Sequence, residues 1–169
     1  QCPRLPSSRV RYTEARKTQV SSAEELRFIF LNILLLLRAF CGYSFPSMEK
    51  DAFKWKLDRP LAVFDIEATG INIRTDRVVE IAIVKLMPKG KRESFVFRIN
   101  PGIPIPAEVT KIHGITDADV ADSPRFESIA KQLSEILEGC DLGGYNLIHF
   151  DIPVLIEEFL RANIKFDVD

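Results

Sequence analysis

The sequence predicts an α/β domain built on a mixed β-sheet, and three observations lead to this prediction. Three strand-like segments, 60–68, 77–87 and 91–100, follow one another with short connections, which is typical of an antiparallel meander. A fourth, short strand-like segment then stands between two segments with helical periodicity. The order meander, helix, strand, helix predicts helices packed on a sheet of mixed direction.

The predicted strands are distinguished by the alternation of their side chains. "PLAVFDIEA" has apolar residues on both faces, as in a central strand that is covered on both sides. In "RVVEIAIVKLM", strict alternation predicts that Val79 shares a face with Ile81, whereas Val78 shares the opposite face with Ala82. The turn at 88–90 then returns the chain into "KRESFVFRIN".

The predicted helices are defined by their first residues and by apolar stripes. "AEVTKIHG" predicts a short helical turn. Ser123 and Pro124 predict the N-cap and first residue of a longer helix that Gly139 ends. "CDLGGYN" predicts the fourth strand, and Asp151 can cap the next helix. The apolar stripe of that last helix is expected to comprise Ile152, Leu155, Ile156, Phe159 and Leu160.

The composition is that of a soluble globular chain with an uneven charge distribution. Hydrophobic residues make up 46% and charged residues 28% of the 169 residues, which excludes a disordered chain. Residues 1–47 carry seven Lys and Arg against three acidic residues, whereas 48–169 carry 16 and 21. Three scattered cysteines, Cys2, Cys41 and Cys140, indicate neither a disulfide framework nor a zinc site, so a cytoplasmic location is expected.

Residues 1–47 differ in character from the rest and are expected to be an extension outside the domain. The apolar run "FIFLNILLLL" is interrupted by Asn32 and is shorter than the span of about 20 residues that a membrane helix needs. Met48 opens a segment in which a polar start precedes the first strand. We therefore expect 1–47 to be upstream sequence read in frame, and 48–169 to be the N-terminal portion of a domain with no membrane contact.

Two carboxylates at the end of the first strand suggest a metal site. Asp65 and Glu67 share a strand face and stand roughly 6.6 Å apart at Cα. Carboxylates this close repel unless a cation lies between them, and hard divalent ions such as Mg²⁺ prefer oxygen ligands. Asp151, at a predicted helix start after the fourth strand, offers a third acid. Three such acids could hold two divalent ions about 4 Å apart, an arrangement suited to phosphodiester hydrolysis.

Taken in order, "FDIEATG", "IPAEVTKIHGIT" and "GYNLIHFDIPVL" resemble the motifs of the DEDD 3'-5' exonuclease superfamily. The resemblance covers residues 61–160 and is closest to the DEDDh branch, with the proofreading domains of the DNA polymerase III epsilon and RNase T type. It implies a ribonuclease H-like fold, two Mg²⁺ or Mn²⁺ ions, and removal of nucleotides from a nucleic-acid 3' end. The implied substrate is a single-stranded or frayed end, with DNA favoured over RNA, and a replicative polymerase is an implied partner.

The resemblance also assigns roles to individual residues. Asp65, Glu67 and Asp151 would be the catalytic metal ligands. Among the residues implied to bind the substrate, Thr69 and Gly70 would contact the terminal nucleotide, and His113 and Gly114 would lie beside it. Asn146 would help to order the motif that contains Asp151.

The sequence departs from this pattern in two places. Four residues, where three are commoner, separate Asn146 from Asp151, which is closer to the three-prime repair exonucleases. The branch also uses a His as general base with an Asp five residues later, but Ala118 follows His113 at that distance and Val154 follows His149. We therefore expect a domain that is incomplete at its C-terminus, lacks its third motif and is inactive alone.

Two alternatives remain open from the sequence. "DIEAT" also resembles the phosphatase loop of haloacid dehalogenase-type enzymes, in which Asp65 would be a nucleophile, although the second acid here is Glu67. The second alternative is a non-catalytic nucleic-acid-binding module, which would keep the pocket but would not bind the metal ions. Phosphoaspartate trapping and titration with Mn²⁺ separate these possibilities.

Overall fold

The computed structural model describes residues 57–88 and 90–167, and the sheet within them has the predicted mixed topology. β1 (Leu61–Ala68), β2 (Val78–Leu86) and β3 (Arg92–Arg98) form an antiparallel meander. β4 (Asp141–Gly143) pairs in parallel with β1, which gives the strand order β3-β2-β1-β4. β1 is therefore a central strand, as predicted; β2 pairs along its whole length, whereas β4 pairs only with residues 61–63 at its N-terminal end.

Four helices follow the meander in the described part of the chain. They are α1 (Ala107–His113), α2 (Asp117–Val120), α3 (Phe126–Leu137) and α4 (Asp151–Arg161). The first, third and fourth confirm the elements predicted from the sequence, whereas α2 was not predicted. The signal for α2 was present, because Thr116 and Asp119 form a reciprocal capping box at its start.

The predicted start of α3 is wrong by two residues. The helix begins at Phe126 after Arg125, and no side chain caps it. The Ser123 N–H instead donates to the Val120 carbonyl oxygen at 3.0 Å, which closes the turn after α2. Ser123, which was expected to be the N-cap of α3, therefore belongs to the turn that follows α2.

The main core lies between one face of the sheet and the helices α3 and α4. Alternate residues of β1 are buried there, and the Phe126 and Phe159 rings of the two helices meet edge to face at 5.3 Å. Leu160, expected in the buried stripe, is 65% exposed, while Val154 is fully buried in its place. The opposite face of β1 is only half-buried, which leaves its side chains accessible.

A bulge at the end of β1 changes which residues share a face. Glu67 pairs with Glu80 but the next residue, Ala68, pairs with Val78, so Val79 is the extra residue. Val78 consequently lies in the main core, whereas Val79 joins a second small cluster with α2. The faces predicted for Val78 and Val79 are wrong, because strict alternation assumes an uninterrupted ladder.

The prediction for residues 1–47 falls outside the described residues and stays a prediction. Within 57–88 and 90–167, no helix combines the length and the hydropathy that crossing a membrane requires.

Candidate active site

Two carboxylates lie on the accessible face of β1, near its C-terminal end. Asp65 and Glu67 alternate with the buried residues of the strand, so both side chains project away from the main core. Across the sheet, Asp65 stands opposite Ala82 and Glu67 stands opposite Glu80. The two carboxylates share one face, as the alternation in the sequence predicts.

α4 brings a third carboxylate to the same strand. Asp151 is the first residue of this helix and is 4% exposed. The prediction that it caps the helix is wrong, because Phe150 occupies the N-cap position and no side chain caps the helix there. Asp151 Oδ1 instead accepts a hydrogen bond from the Ile66 N–H at 3.1 Å. The carboxylate is thus turned from its own helix to the β1 backbone between Asp65 and Glu67.

All three carboxylates have raised pKa values, with burial as the largest cause. Burial, then the charges of Asp65, Glu80 and Asp151, raise the pKa of Glu67 to about 7. Burial and the Asp65 charge raise the pKa of Asp151 to about 6, against the opposing hydrogen bonds from the backbone. Burial and the Glu80 charge also raise the pKa of Asp65. The groups are therefore close enough to repel one another and are poorly solvated.

This trio fits the requirements of a hard divalent cation. Mg²⁺ and Mn²⁺ prefer oxygen ligands, and a cation among the carboxylates would offset the repulsion that raises the pKa of Glu67. In the part of the chain that the structure describes, no three His, Cys, Asp or Glu side chains are placed so that together they could hold a metal ion. Bare carboxylates repel, and Asp151 is directed to Ile66. Cation binding would therefore require these side chains to rotate.

Glu80 is a fourth acidic side chain at this site, and the sequence analysis did not single it out. It is 7% exposed on β2 and forms an ion pair with Arg98 of β3, its partner in the ladder. Its charge contributes to the raised pKa values of Asp65 and Glu67. The signal was a lone acid inside the apolar run "VVEIAIV", since an acid is rarely fully buried without a partner.

The turn after β1 places Gly70 near the carboxylates but encloses Thr69. Thr69 is 1% exposed, and its amide N–H donates to the Arg77 carbonyl oxygen at 2.9 Å. Its hydroxyl donates to Asp76 Oδ1 and accepts from the Arg77 N–H, both at 3.0 Å. The polar groups of Thr69 other than its carbonyl are therefore engaged within the protein, whereas Gly70 is half-buried.

His113 and Gly114 lie at the end of α1, beside the end of β1. Gly114 has φ +78°, a left-handed conformation that favours glycine, and it ends the helix. His113 Nδ1 accepts a hydrogen bond from the Ile115 N–H at 3.0 Å, which leaves the proton of the neutral ring on Nε2. Burial lowers the pKa of His113, with opposing effects from the Ala68 backbone and Glu80. The structure thus brings His113 towards the site in its neutral form.

Asn146 shapes the loop that leads into Asp151. Its φ of +50° is tolerated by asparagine, and its carbonyl oxygen accepts from the N–H groups of His149 and Phe150 at 2.9 and 3.2 Å. The side chain itself is exposed. The ordering role predicted for Asn146 therefore has a counterpart in its backbone.

Comparison with known proteins gives consistent matches over this same region. The family model RNase_T, described as "Exonuclease", matches residues 62–167. The DNA polymerase III subunit epsilon of Treponema pallidum is 37% identical over 102 residues, which cover 60% of this chain and 45% of that protein. The 3'-5' exonuclease DinG of Bacillus subtilis is 31% identical over 104 residues, or 61% of this chain and 11% of that protein. The chain spans less than half the length of these curated relatives.

The fold is shared with solved structures. Exonuclease I of E. coli, in complex with a dT13 oligonucleotide, superimposes with a TM-score of 0.57 at 20% identity, over 63% of this chain and 24% of that one. This likeness confirms the ribonuclease H-like fold expected from the motifs. The sequence match and the fold agree, and the chain belongs to the RNase_T family of exonucleases.

Proposed function

We propose that this domain hydrolyses phosphodiester bonds at the 3' end of a single-stranded or frayed nucleic acid, with two Mg²⁺ or Mn²⁺ ions as cofactors. The observation that carries the proposal is the trio Asp65, Glu67 and Asp151, which two elements distant in sequence place together at the accessible end of a central strand. Their raised pKa values support a site that favours a cation.

The proposed function assigns a different role to each group of residues. Asp65 and Glu67, fixed on β1, and Asp151, at the start of α4, would hold the two cations. When bound, these ions would polarise the scissile phosphate and stabilise the attacking and leaving oxygens. We assign Gly70, in the turn after β1, and His113 and Gly114, at the end of α1, to the terminal nucleotide, with Thr69 and Asn146 ordering the segments around it.

Exposed apolar side chains in the segments that carry the assigned residues support binding of unstacked bases. Ile71 directly follows the Thr69-Gly70 turn and is 89% exposed, Ile112 precedes His113 and is 83% exposed, and Tyr145 of the β4-α4 loop is 60% exposed. Apolar and aromatic groups bind the faces of any base, so these three side chains suit a single strand of any sequence. The direction of hydrolysis and the substrate are proposed from the similar proteins. DinG is named a 3'-5' exonuclease, and exonuclease I was solved with dT13.

The phosphatase alternative is not favoured by the strand order. β1 leads directly into antiparallel β2, whereas that alternative needs a parallel strand-helix-strand unit after the first strand. The non-catalytic alternative is distinguished only by metal binding and turnover. A cytoplasmic location, DNA in preference to RNA and a replicative polymerase as partner stay predictions, the last in line with the epsilon subunit among the relatives.

Titration calorimetry with Mn²⁺ on the 169-residue chain tests the cofactor. We expect saturable binding that Asp65→Ala, Glu67→Ala or Asp151→Ala abolishes, because each change removes a charged ligand. Glu135→Ala is the matched control, since it removes an exposed carboxylate from α3. Equal Mn²⁺ affinity in all three variants would contradict the assignment.

The same substitutions test the reaction in a chain extended through a His followed five residues later by an Asp. We expect Mn²⁺-dependent release of mononucleotides from a 3'-labelled DNA strand, while a 5' label stays on the shortening strand, and slower release from RNA of the same sequence. Hydrolysis by Asp65→Ala at the wild-type rate would rule out the two-metal mechanism.

A further inference from the structure

The turn between β1 and β2 is organised around one side chain that the sequence motifs do not include. Asp76 Oδ1 accepts from the Thr69 hydroxyl at 3.0 Å, and Asp76 Oδ2 accepts from the Asn72 N–H at 2.7 Å. The Asp76 N–H donates in turn to the Asn72 carbonyl oxygen at 2.8 Å. One carboxylate therefore ties both ends of the segment 69–72 together, immediately after Glu67.

Gly70 is packed directly on this carboxylate. A Cβ atom built on Gly70 would lie 2.5 Å from Asp76 Oδ2 and 2.8 Å from Asp76 Cγ, closer than real Cβ atoms come to other atoms. The backbone of Gly70 can lie against Asp76 only because it has no side chain. The Asp76 carboxylate thus fixes the path of the turn by contact as well as by hydrogen bonds.

The same turn leaves two donors unused. Thr69 has both its amide and its hydroxyl engaged internally. By contrast, the amide N–H groups of Gly70 and Ile71 have no hydrogen-bond partner among residues 57–88 and 90–167. Ile71 is 89% exposed and Gly70 is half-buried, and both follow closely the strand end that carries Asp65 and Glu67. An oxygen of a nucleotide is a suitable acceptor for such amides.

We propose that Asp76 is a positioning residue for substrate binding, which holds the Thr69-Gly70 turn so that the amides of Gly70 and Ile71 bind a sugar or phosphate oxygen of the 3'-terminal nucleotide. Thr69 then acts inside the turn and does not contact the substrate through its hydroxyl. This inference rests on the proposed function and deepens it, because it assigns the recognition of the strand end to backbone groups under the control of one carboxylate.

Binding of a 5'-fluorescein-labelled oligo-dT strand to the 169-residue chain, followed by anisotropy in Ca²⁺, tests the inference. We expect Asp76→Ala and Thr69→Val to weaken binding about tenfold, because the turn is then no longer held in the conformation in which its two amides bind the strand. Thr69→Ser keeps the hydroxyl and should bind like the wild type. Asp76→Asn keeps the shape and one acceptor and should lie between the two.

A double-mutant cycle separates positioning from general destabilisation. Gly70→Ala alone should weaken binding, because the new methyl group overlaps Asp76, whereas adding it to Asp76→Ala should cause little further loss. Mn²⁺ affinity should stay within about twofold in every variant, since Asp65, Glu67 and Asp151 are untouched.

Each outcome decides between the two proposals. Wild-type affinity in Asp76→Ala, or additive losses in the cycle, would overturn the inference and leave the proposed function standing. An equal loss of Mn²⁺ affinity would also overturn it, because Asp76 would then support the fold and not the strand end. If the wild type does not bind the oligo-dT strand at all, the proposed function fails, and the inference that rests on it fails with it.

Discussion

At the scale of single residues, the site is a set of carboxylates that the fold holds in an unfavourable state. Glu67 has its pKa raised to about 7, first by burial and then by Asp65, Glu80 and Asp151. A carboxylic acid whose pKa is higher in the folded than in the unfolded state stabilises the fold at low pH, and this contribution is lost as the pH rises. The metal-free domain is therefore expected to be weakened by its own site at neutral pH.

The variant Glu67→Gln tests this electrostatic cost. Glu67 has an unfolded pKa of 4.5, so its stabilising contribution is complete below that pH and is lost as the pH rises through about 7. We expect Glu67→Gln to be more stable than the wild type at pH 8 by about 2 kcal/mol, less than the full shift because water reaches this half-buried group. At pH 4 the difference should vanish.

Urea unfolding in EDTA at several pH values measures the difference. The lowered pKa of His113 acts in the opposite direction below its ordinary value of 6.5, but it is common to both proteins and cancels. A pH-independent difference would show that Glu67 is not perturbed by its neighbours. Added Mn²⁺ should stabilise the wild type and leave Glu67→Gln nearly unchanged, because only the wild type keeps the full ligand set.

The residue scale also marks the limit of what the sequence could predict about the site. The alternation of side chains was sufficient to place Asp65 and Glu67 on one face, and the order of the motifs was sufficient to add Asp151. Glu80 and Asp76 were not foreseen, because each acts through a partner that local patterns do not reveal: Arg98 across the sheet, and the turn around Gly70.

At the scale of elements, the position of α4 depends on a buried ion pair with the start of β2. Glu158 is 1% exposed and accepts two hydrogen bonds from the Arg77 guanidinium, at 2.8 and 3.0 Å, and one from the Val78 N–H at 3.1 Å. Arg161 of the same helix donates to the Asp76 carbonyl oxygen at 3.3 Å. These contacts anchor α4 to the β1-β2 turn, and α4 carries Asp151 at its other end.

Glu158→Ala is expected to destabilise the fold by about 3 kcal/mol, because it leaves the Val78 N–H without its acceptor and the Arg77 guanidinium with the longer, more exposed contact to Glu127. The midpoint of urea unfolding measures this loss. Glu127→Ala is the matched control: Glu127 contacts the same guanidinium at 3.4 Å from a half-exposed position, so its removal should change stability by less than about 0.5 kcal/mol. Equal effects would mean that burial does not distinguish the two pairs.

Helices and strands were predicted well where one period of apolar residues held for the whole segment, and poorly where that period changed. The three meander strands and the longer helices agree with the sequence to within a few residues. The bulge opposite Glu67 and the short helix α2 did not follow from periodicity, since the first is one extra residue and the second is only four residues long. The bulge exchanges the sheet faces of Val78 and Val79. A pattern taken over the whole strand does not reveal such a local exchange.

At the scale of the whole molecule, the family resemblance implies four acidic residues and a general base. The 169 residues offer candidates for three of these acids and no histidine with the spacing expected of the base. We expect this chain to hydrolyse nucleic acid slowly, because a positioned base contributes about 10²–10⁴-fold. A chain extended through a His followed five residues later by an Asp should release mononucleotides faster by that factor. Equal rates would mean that a base lies within these residues, and His149, exposed in the loop before Asp151, would be the first to test.

Residues 1–47 provide a second test at this scale. Since we propose that they lie outside the domain, their deletion should change the free energy of unfolding by less than about 0.5 kcal/mol. Urea unfolding of 48–169 beside the full chain measures it. A large loss would show that the run "FIFLNILLLL" packs on the domain.

The hydrogen bond from the Ile66 N–H to Asp151 joins residues 85 positions apart in the chain. Neither β1 nor α4 alone carries a complete trio, so the catalytic centre that we propose would form only after most of the domain has been synthesised and has closed this contact. A nascent chain that has not yet added α4 would lack the third carboxylate. Under the proposed function, long-range assembly of the carboxylates would therefore delay nucleic-acid hydrolysis until folding is complete.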